Sequence, residues 1–199
     1  MDFIHQFIIR NGEIYPNVSE KLTNDTTIYE VIRIIDGIPL FFEQHYYRLG
    51  KSARLINKRL DLSEEKLKQL IHTLINANKQ YSGNIKIIVD YDNETGLSLS
   101  KIGFIEHNYP TEKEYAEGVK TVSYTFQRPN PNAKIQYPNF RNDVHGLMQN
   151  NNAYEIILVN PDGNITEGSR SNLFFIMDNI LYTAPEKEVL TGITRNVFN

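Results

Sequence analysis

Apolar positions along this chain change their period several times, and each change marks a predicted element. Residues 3–10 (FIHQFIIR) and 28–36 (IYEVIRIID) are dense in Ile and Val and run into Asn11-Gly12 and Asp36-Gly37. Branched side chains suit a pleated surface, and Asn-Gly and Asp-Gly pairs accept the positive φ of tight hairpin turns, so the spacing predicts two early strands. From Glu43 to about Lys58 the apolar residues adopt helical spacing. A second helix is predicted from Asp61-Leu62-Ser63-Glu64, which resembles a capping box, with Leu67, Leu70, Ile71, Leu74 and Ile75 along one face. Residues 84–91 (NIKIIVDY) and 97–106 (LSLSKIGFIE) return to strand character, which gives a sheet covered by two helices.

The polar, proline-containing segment 107–114 (HNYPTEKE) reads as a linker and sets a boundary near 109, with one lobe over 1–109 and a second over 110–199. In the second lobe a strand is predicted at 119–126, then a stiff Arg128-Pro129-Asn130-Pro131 turn and a helix at about 140–152. Short strands follow in EIILVN, NIT, NLFFIM and ILYTA, and LTGITRNVFN reads as a loop entering a helix, so this lobe is expected to be incomplete.

Composition narrows the function classes. The 199 residues are 40% hydrophobic and 23% charged, with a net charge of -3 and a pI near 6.0, as in an ordinary globular protein. The 21 Lys+Arg and 24 Asp+Glu are dispersed, which argues against nucleic acid or an anionic membrane as partner and leaves a small molecule as the default. With no cysteine, disulfides, zinc-thiolate sites, iron-sulfur clusters and thiol nucleophiles are excluded. The opening MDFIHQFIIRNGEIYP lacks the layout of a signal peptide, and no window approaches the roughly 20 apolar residues of a membrane span, so a cytoplasmic address is expected. The five histidines show no metal-ligand spacing, and no Gly-x-Ser-x-Gly elbow occurs; no metal is expected.

Four places could carry chemistry, each with an ordinary alternative. Lys134 follows the proline-rigid turn; a buried lysine amine can attack a carbonyl, whereas an arbitrary lysine is a solvated surface group. Glu167, among the small residues of Ile165-Thr166-Glu167-Gly168-Ser169, could face a heteroaromatic nitrogen or simply bond to Arg170 or solvent. Arg48, one helical turn from His45, could clamp a phosphate or form a surface ion pair with Glu43 or Glu30. Gly192-Ile193-Thr194-Arg195 could cup an anion on backbone N–H groups, or Thr194 could be a plain N-cap.

In chain order, Arg48, Lys134, Glu167 and Gly192-Ile193-Thr194-Arg195 together resemble the fold-type IV pyridoxal phosphate enzymes, the class IV aminotransferases, which include branched-chain and D-amino acid aminotransferases and aminodeoxychorismate lyases. The similar stretches are Ile28-Tyr29-Glu30-Val31-Ile32-Arg33, His45-Tyr46-Tyr47-Arg48-Leu49, Glu155 to Asn160 with Ile165 to Phe174, and Leu190-Thr191-Gly192-Ile193-Thr194-Arg195. The resemblance implies an α/β (α+β) fold with a small N-terminal α/β lobe and a larger β-rich C-terminal lobe, here short at its C-terminal end. It implies pyridoxal 5'-phosphate as cofactor and Lys134, the only lysine between Lys120 and Lys187, as its Schiff-base partner and the catalytic residue. Arg48, Ile193 and Thr194 would then bind the phosphate, Glu167 would face the pyridine nitrogen, and Tyr29 would line the substrate pocket. Amino-group transfer between an amino acid and a 2-oxo acid in a homodimer is the implied function; an aminodeoxychorismate lyase and a non-catalytic truncated member are the alternatives. Two features depart from the family pattern: Lys134 is followed by Ile135-Gln136-Tyr137, and 89–96 lacks the arginine that helps D-amino acid aminotransferases hold a carboxylate.

Overall fold

Strands β1 (Phe3–Arg10), β2 (Glu13–Pro16), β3 (Thr26–Ile35), β4 (Ile38–Pro39), β5 (Gly83–Tyr91) and β6 (Ser98–Ile105) form one antiparallel sheet in the order β2-β1-β6-β5-β3-β4. They come from a computed structural model that describes residues 3–18 and 26–197. Both expected hairpin turns are present: Asn11 and Gly12 have φ of 47° and 86°, Asp36 and Gly37 of 50° and 80°. Two left-handed residues in succession give the turn whose twist matches that of the strands it joins.

Helices α1 (Phe42–Leu55) and α2 (Glu64–Asn78) pack on this sheet, α1 on β3 and α2 on β1 and β6. The predicted α2 face is the buried one; Leu67, Ile71 and Leu74 are fully enclosed, as are Ile9, Ile28, Ile32, Ile34, Leu49 and Ile85. Each such side chain contributes about 1.5–3 kcal/mol by leaving water. The start of α2 is simpler than a capping box: Ser63 alone caps it, accepting the Lys66 N–H at 3.2 Å, and a lysine at that position has no carboxylate to bond back. The complete capping box lies within the expected linker. Thr111 accepts the Glu114 N–H at 3.2 Å while the Glu114 carboxylate accepts the Thr111 N–H at 2.8 Å, and this opens the short helix α3 (Glu112–Glu117).

The chain divides into two units. The first holds Met1–Asn108 together with Ala133–Gln136, and the second holds Tyr109–Asn132 and Tyr137–Asn199. Residues 133–136 join the first unit by extending its sheet. The Tyr29 N–H donates to the Lys134 carbonyl at 3.0 Å, the Gln136 N–H donates to the Thr27 carbonyl at 2.8 Å, and Ile28 bridges Ile135. β4 pairs only with the far end of β3, so the first residues of β3 need other partners for their polar backbone groups, and 134–136 supply them.

In the second unit β7 (Thr121–Thr125) runs parallel to β8 (Glu155–Val159), and β9 (Ile165–Gly168) pairs antiparallel with β8. Helix α4 (Pro138–Asn151) lies in the long connection that a parallel pair requires. Phe140 and Val144 of α4 bury with Ile156 and Leu158 of β8, and the Phe126 and Phe140 rings stack with centroids 4.2 Å apart. Only Phe175–Met177 of the expected NLFFIM strand is extended (β10), paired with β11 (Ile180–Tyr182). Where entry into a helix is expected, Arg195–Val197 make a 3₁₀ turn; the last two residues of that segment lie outside the described residues.

Candidate active site

In the first unit, Tyr29 and Glu30 are consecutive on β3, so their side chains leave opposite faces of the sheet. Glu30 is completely buried (0% exposed). His45 and Arg48, one turn apart on α1, both reach it: Arg48 Nε donates to Oε1 at 2.7 Å, Arg48 Nη2 donates to Oε2 at 2.8 Å, and His45 Nδ1 lies 2.8 Å from Oε2. Burial alone pushes the Glu30 carboxyl up, but the hydrogen bonds from Arg48 and His45 and the charges of Arg48 and Lys134 outweigh it and hold the group at about 2. Arg48 therefore forms an ion pair with Glu30, one of its two candidate partners, in the interior and not on the helix surface.

Lys134 is not a solvated surface group. Its N–H donates to Ser52 Oγ at 3.0 Å, and the same hydroxyl donates to the Arg48 carbonyl at 2.9 Å, so one serine ties the lysine backbone to the helix that carries Arg48. The Lys134 ammonium lies 4.7 Å from the centroid of the buried Tyr29 ring, a cation–π arrangement. Tyr29, Arg48 and Lys134, singled out from sequence, thus share one neighbourhood of this unit.

In the second unit, Glu167 on β9 is buried, and its partner is Arg128 rather than Arg170. Arg128 Nε donates to Oε1 at 2.8 Å, and the Leu190 N–H donates to Oε2 at 3.1 Å; Arg170 Nη2 instead donates to the Tyr154 carbonyl. The residues after Glu167 fold tightly around a second buried carboxylate, Glu155, whose oxygens accept from the Ser169 hydroxyl at 2.5 Å and the Ser171 hydroxyl at 2.9 Å. Gly168 sits so close to Ser171 Oγ that no side chain fits there, and Gly192 is likewise pressed against Asn172 Oδ1. Asn172 Nδ2 donates to the Leu190 carbonyl at 2.9 Å. Leu190 thereby links Glu167 to Asn172, and the two motifs 165–174 and 190–195 form one connected structure.

Ile193 is buried and Thr194 exposed in the turn that ends this structure. Arg195, 5% exposed, donates from Nη2 to the Ala184 carbonyl at 2.7 Å, and its buried Nε and Nη1 have no partner among the described residues. Buried donors left this way favour an anion. No group of three or more His, Cys, Asp or Glu side chains among the described residues is arranged to hold a metal ion, and no described helix is long and apolar enough to cross a membrane.

Two site residues escaped the sequence reading in part: Glu30, named only as one possible ion-pair partner, and Arg128, noted only for its turn. The available signal for the first was a charged residue within an apolar run, Tyr29-Glu30-Val31. Among known proteins, the family described as amino-transferase class IV matches residues 27–199. The chain is 32% identical over 178 residues to a D-alanine aminotransferase of Bacillus licheniformis, covering 84% of this chain and 62% of that protein, so it spans about three fifths of that relative. Its fold is similar to that of the branched-chain amino acid aminotransferase of Escherichia coli, with a TM-score of 0.79 at 21% identity over 98% of this chain and 72% of that one. It is also similar to a putative 4-amino-4-deoxychorismate lyase of Legionella pneumophila, with a TM-score of 0.70 at 25% identity over 86% of this chain and 66% of that one. With a family match that begins just before Tyr29 and Glu30 and runs through Gly192-Ile193-Thr194-Arg195, the chain belongs to the class IV aminotransferases, the fold-type IV pyridoxal phosphate family.

Proposed function

We propose that this chain carries the site for pyridoxal phosphate-dependent transfer of an amino group between an amino acid and a 2-oxo acid. The observation that carries the reading is the placement of Lys134, pinned at its backbone by Tyr29 and Ser52 and laid with its amine against a buried tyrosine ring, beside an arginine locked to Glu30. The residues fit the cofactor: a lysine amine for its carbonyl, arginine and backbone donors for its phosphate, buried orphan donors in the 192–195 turn, and a buried carboxylate for a ring nitrogen.

Bound pyridoxal phosphate supplies a carbonyl carbon that amines attack and a ring that accepts the electron pair left when a substrate carbon loses its proton. Lys134 Nζ would hold the cofactor covalently and, once displaced by a substrate amine, move the proton at the substrate α-carbon. Arg48, held in place by Glu30, would bind the phosphate through its guanidinium. On the family resemblance, the backbone N–H groups of Ile193 and Thr194, with the Thr194 hydroxyl, are the second unit's candidates for phosphate binding. Glu167, oriented by Arg128 and Leu190, would receive the ring nitrogen, and Tyr29 would form a wall for the substrate. A cytoplasmic homodimer belongs to this reading on the family resemblance.

The test is chemical. After mixing with pyridoxal phosphate and reducing with borohydride, the phosphopyridoxyl mass is expected on the peptide containing Lys134, together with amino transfer to a 2-oxo acid. Release of p-aminobenzoate from aminodeoxychorismate instead assigns the lyase reaction, and label without either product assigns a cofactor-binding protein without turnover. An unlabelled Lys134 ends the reading.

A further inference from the structure

Glu155 has no part in the roles above, yet this buried carboxylate at the start of β8 organises the residues that follow Glu167. Its Oε1 accepts the Ser169 N–H at 3.1 Å and the Ser169 hydroxyl at 2.5 Å, and its Oε2 accepts the Ser171 hydroxyl at 2.9 Å. The Ile156 N–H donates to Oε1 as well, at 2.9 Å. The carboxylate also packs against backbone, since a Cβ added at Gly168 would stand 3.1 Å from its carbon and from Oε2. Ser169 itself is 0% exposed, so the carboxylate and the turn around it hold each other in one arrangement.

Ser169 passes this placement on. Its carbonyl accepts from Arg128 Nη2 at 3.4 Å and from Arg141 Nη1 at 3.3 Å, and Arg128 Nε donates to Glu167 Oε1 at 2.8 Å. A continuous path of hydrogen bonds therefore runs from Glu155 through Ser169 and Arg128 to Glu167, all within the second unit. We propose that Glu155 is a positioning residue for Glu167: by fixing Ser169 it fixes the guanidinium that aims the Glu167 carboxylate. This rests on the function proposed above, in which that carboxylate receives the ring nitrogen of the cofactor. A hydrogen bond to such a nitrogen weakens steeply with distance and angle, so a carboxylate pinned by Arg128 on one oxygen and by the Leu190 N–H on the other keeps a contact that a swinging one loses.

Pyridoxal phosphate and 1-deazapyridoxal phosphate, in which carbon replaces the ring nitrogen, report the placement of Glu167, because only the first offers it a partner. Each is titrated into the chain, and the concentration that half-saturates borohydride labelling of Lys134 is read by peptide mass. The unsubstituted chain is expected to prefer pyridoxal phosphate. Glu155→Met, which removes both carboxylate oxygens, is expected to lower that preference at least fivefold, and Glu155→Gln, which keeps an acceptor for Ser169, to stay within twofold of the parent. Should Glu155→Met fail to fold, Glu155→Asp, one methylene too short for Ser169, is expected to lose at least threefold. Hydrogen exchange without cofactor gives a second measure: the rate at the Leu190 amide, which donates to Glu167, should rise at least tenfold relative to the Phe126 amide, which donates to the Val159 carbonyl. Equal losses for both cofactors, an unchanged preference, an unchanged ratio of exchange rates, or no preference in the parent would overturn the inference while Lys134 labelling stands. A loss in Glu155→Gln as large as in Glu155→Met assigns the effect to charge and overturns the positioning role. Absence of Lys134 label in the parent overturns both this inference and the proposed function.

Discussion

Glu30 and Arg48 meet edge to edge, two guanidinium nitrogens on two carboxylate oxygens at 2.7 and 2.8 Å, on a strand and a helix that are neighbours in the fold. Such a pair fixes the plane of the guanidinium as well as its place. The same pair makes the fold sensitive to acid. Its carboxyl is held at about 2, below its ordinary value of 4.5, so the unfolded chain binds the proton more readily than the folded one. The stabilisation is present above the ordinary value and is lost as pH falls from there toward 2, on the order of 3 kcal/mol in all.

Glu30→Gln is accordingly expected to lose about 3–5 kcal/mol at neutral pH, because Arg48 is left inside without its anion. Urea denaturation from pH 5 down to pH 2.5 checks the assignment. The parent's stability should fall more steeply than the variant's, and parallel slopes would place the acid-sensitive group elsewhere.

Arg128 and Glu167 form a second buried pair, with Arg128 also stacked against the Phe140 ring. Arg128→Met should cost about 3–5 kcal/mol by taking the guanidinium away from the buried Glu167 carboxylate, whereas the double variant with Glu167→Met should recover most of that loss. Denaturant midpoints of the two single variants and the double variant decide it; strictly additive losses would mean that the two groups do not interact.

Gly192 has no room for a methyl group because Asn172 Oδ1 occupies the space. Gly192→Ala should destabilise the second unit by about 1–3 kcal/mol through overpacking. Asn172→Ala clears the space but gives up the bond to the Leu190 carbonyl, so in thermal denaturation the double variant should lose less than the two single losses combined.

Ser52→Ala removes the acceptor for the Lys134 N–H and the donor to the Arg48 carbonyl. A loss of about 1–2 kcal/mol is expected, with faster hydrogen exchange at the Lys134 amide than at the Tyr29 amide, which keeps its own acceptor. Equal exchange at both amides would remove Ser52 as the anchor.

Much of the first unit was legible because its signals are local. Asn11-Gly12 and Asp36-Gly37 state their turn chemistry in two letters, and the Leu67 to Ile75 face of α2 repeats at helical spacing. The α3 capping box is equally local, but Pro110 and the polar run around Thr111 disguised it as a linker. What stayed hidden depends on distant partners. Glu30 and Lys86 look alike in sequence, one charge in each apolar run, and only the faces chosen by β3 and β5 separate the group that holds Arg48 from the group beside Tyr29. The Glu167 partner lies 39 residues away, on a turn whose prolines announced stiffness and nothing about charge.

The excursion of residues 133–136 has a practical consequence for anyone dissecting the protein. A single scission after Asn108 would not liberate a self-sufficient amino-terminal fragment, because the piece would lack the short stretch completing the margin of its own sheet and, with it, the amine at position 134. Complementation between separately expressed halves would first have to restore that backbone pairing before Lys134 regained its place against Tyr29.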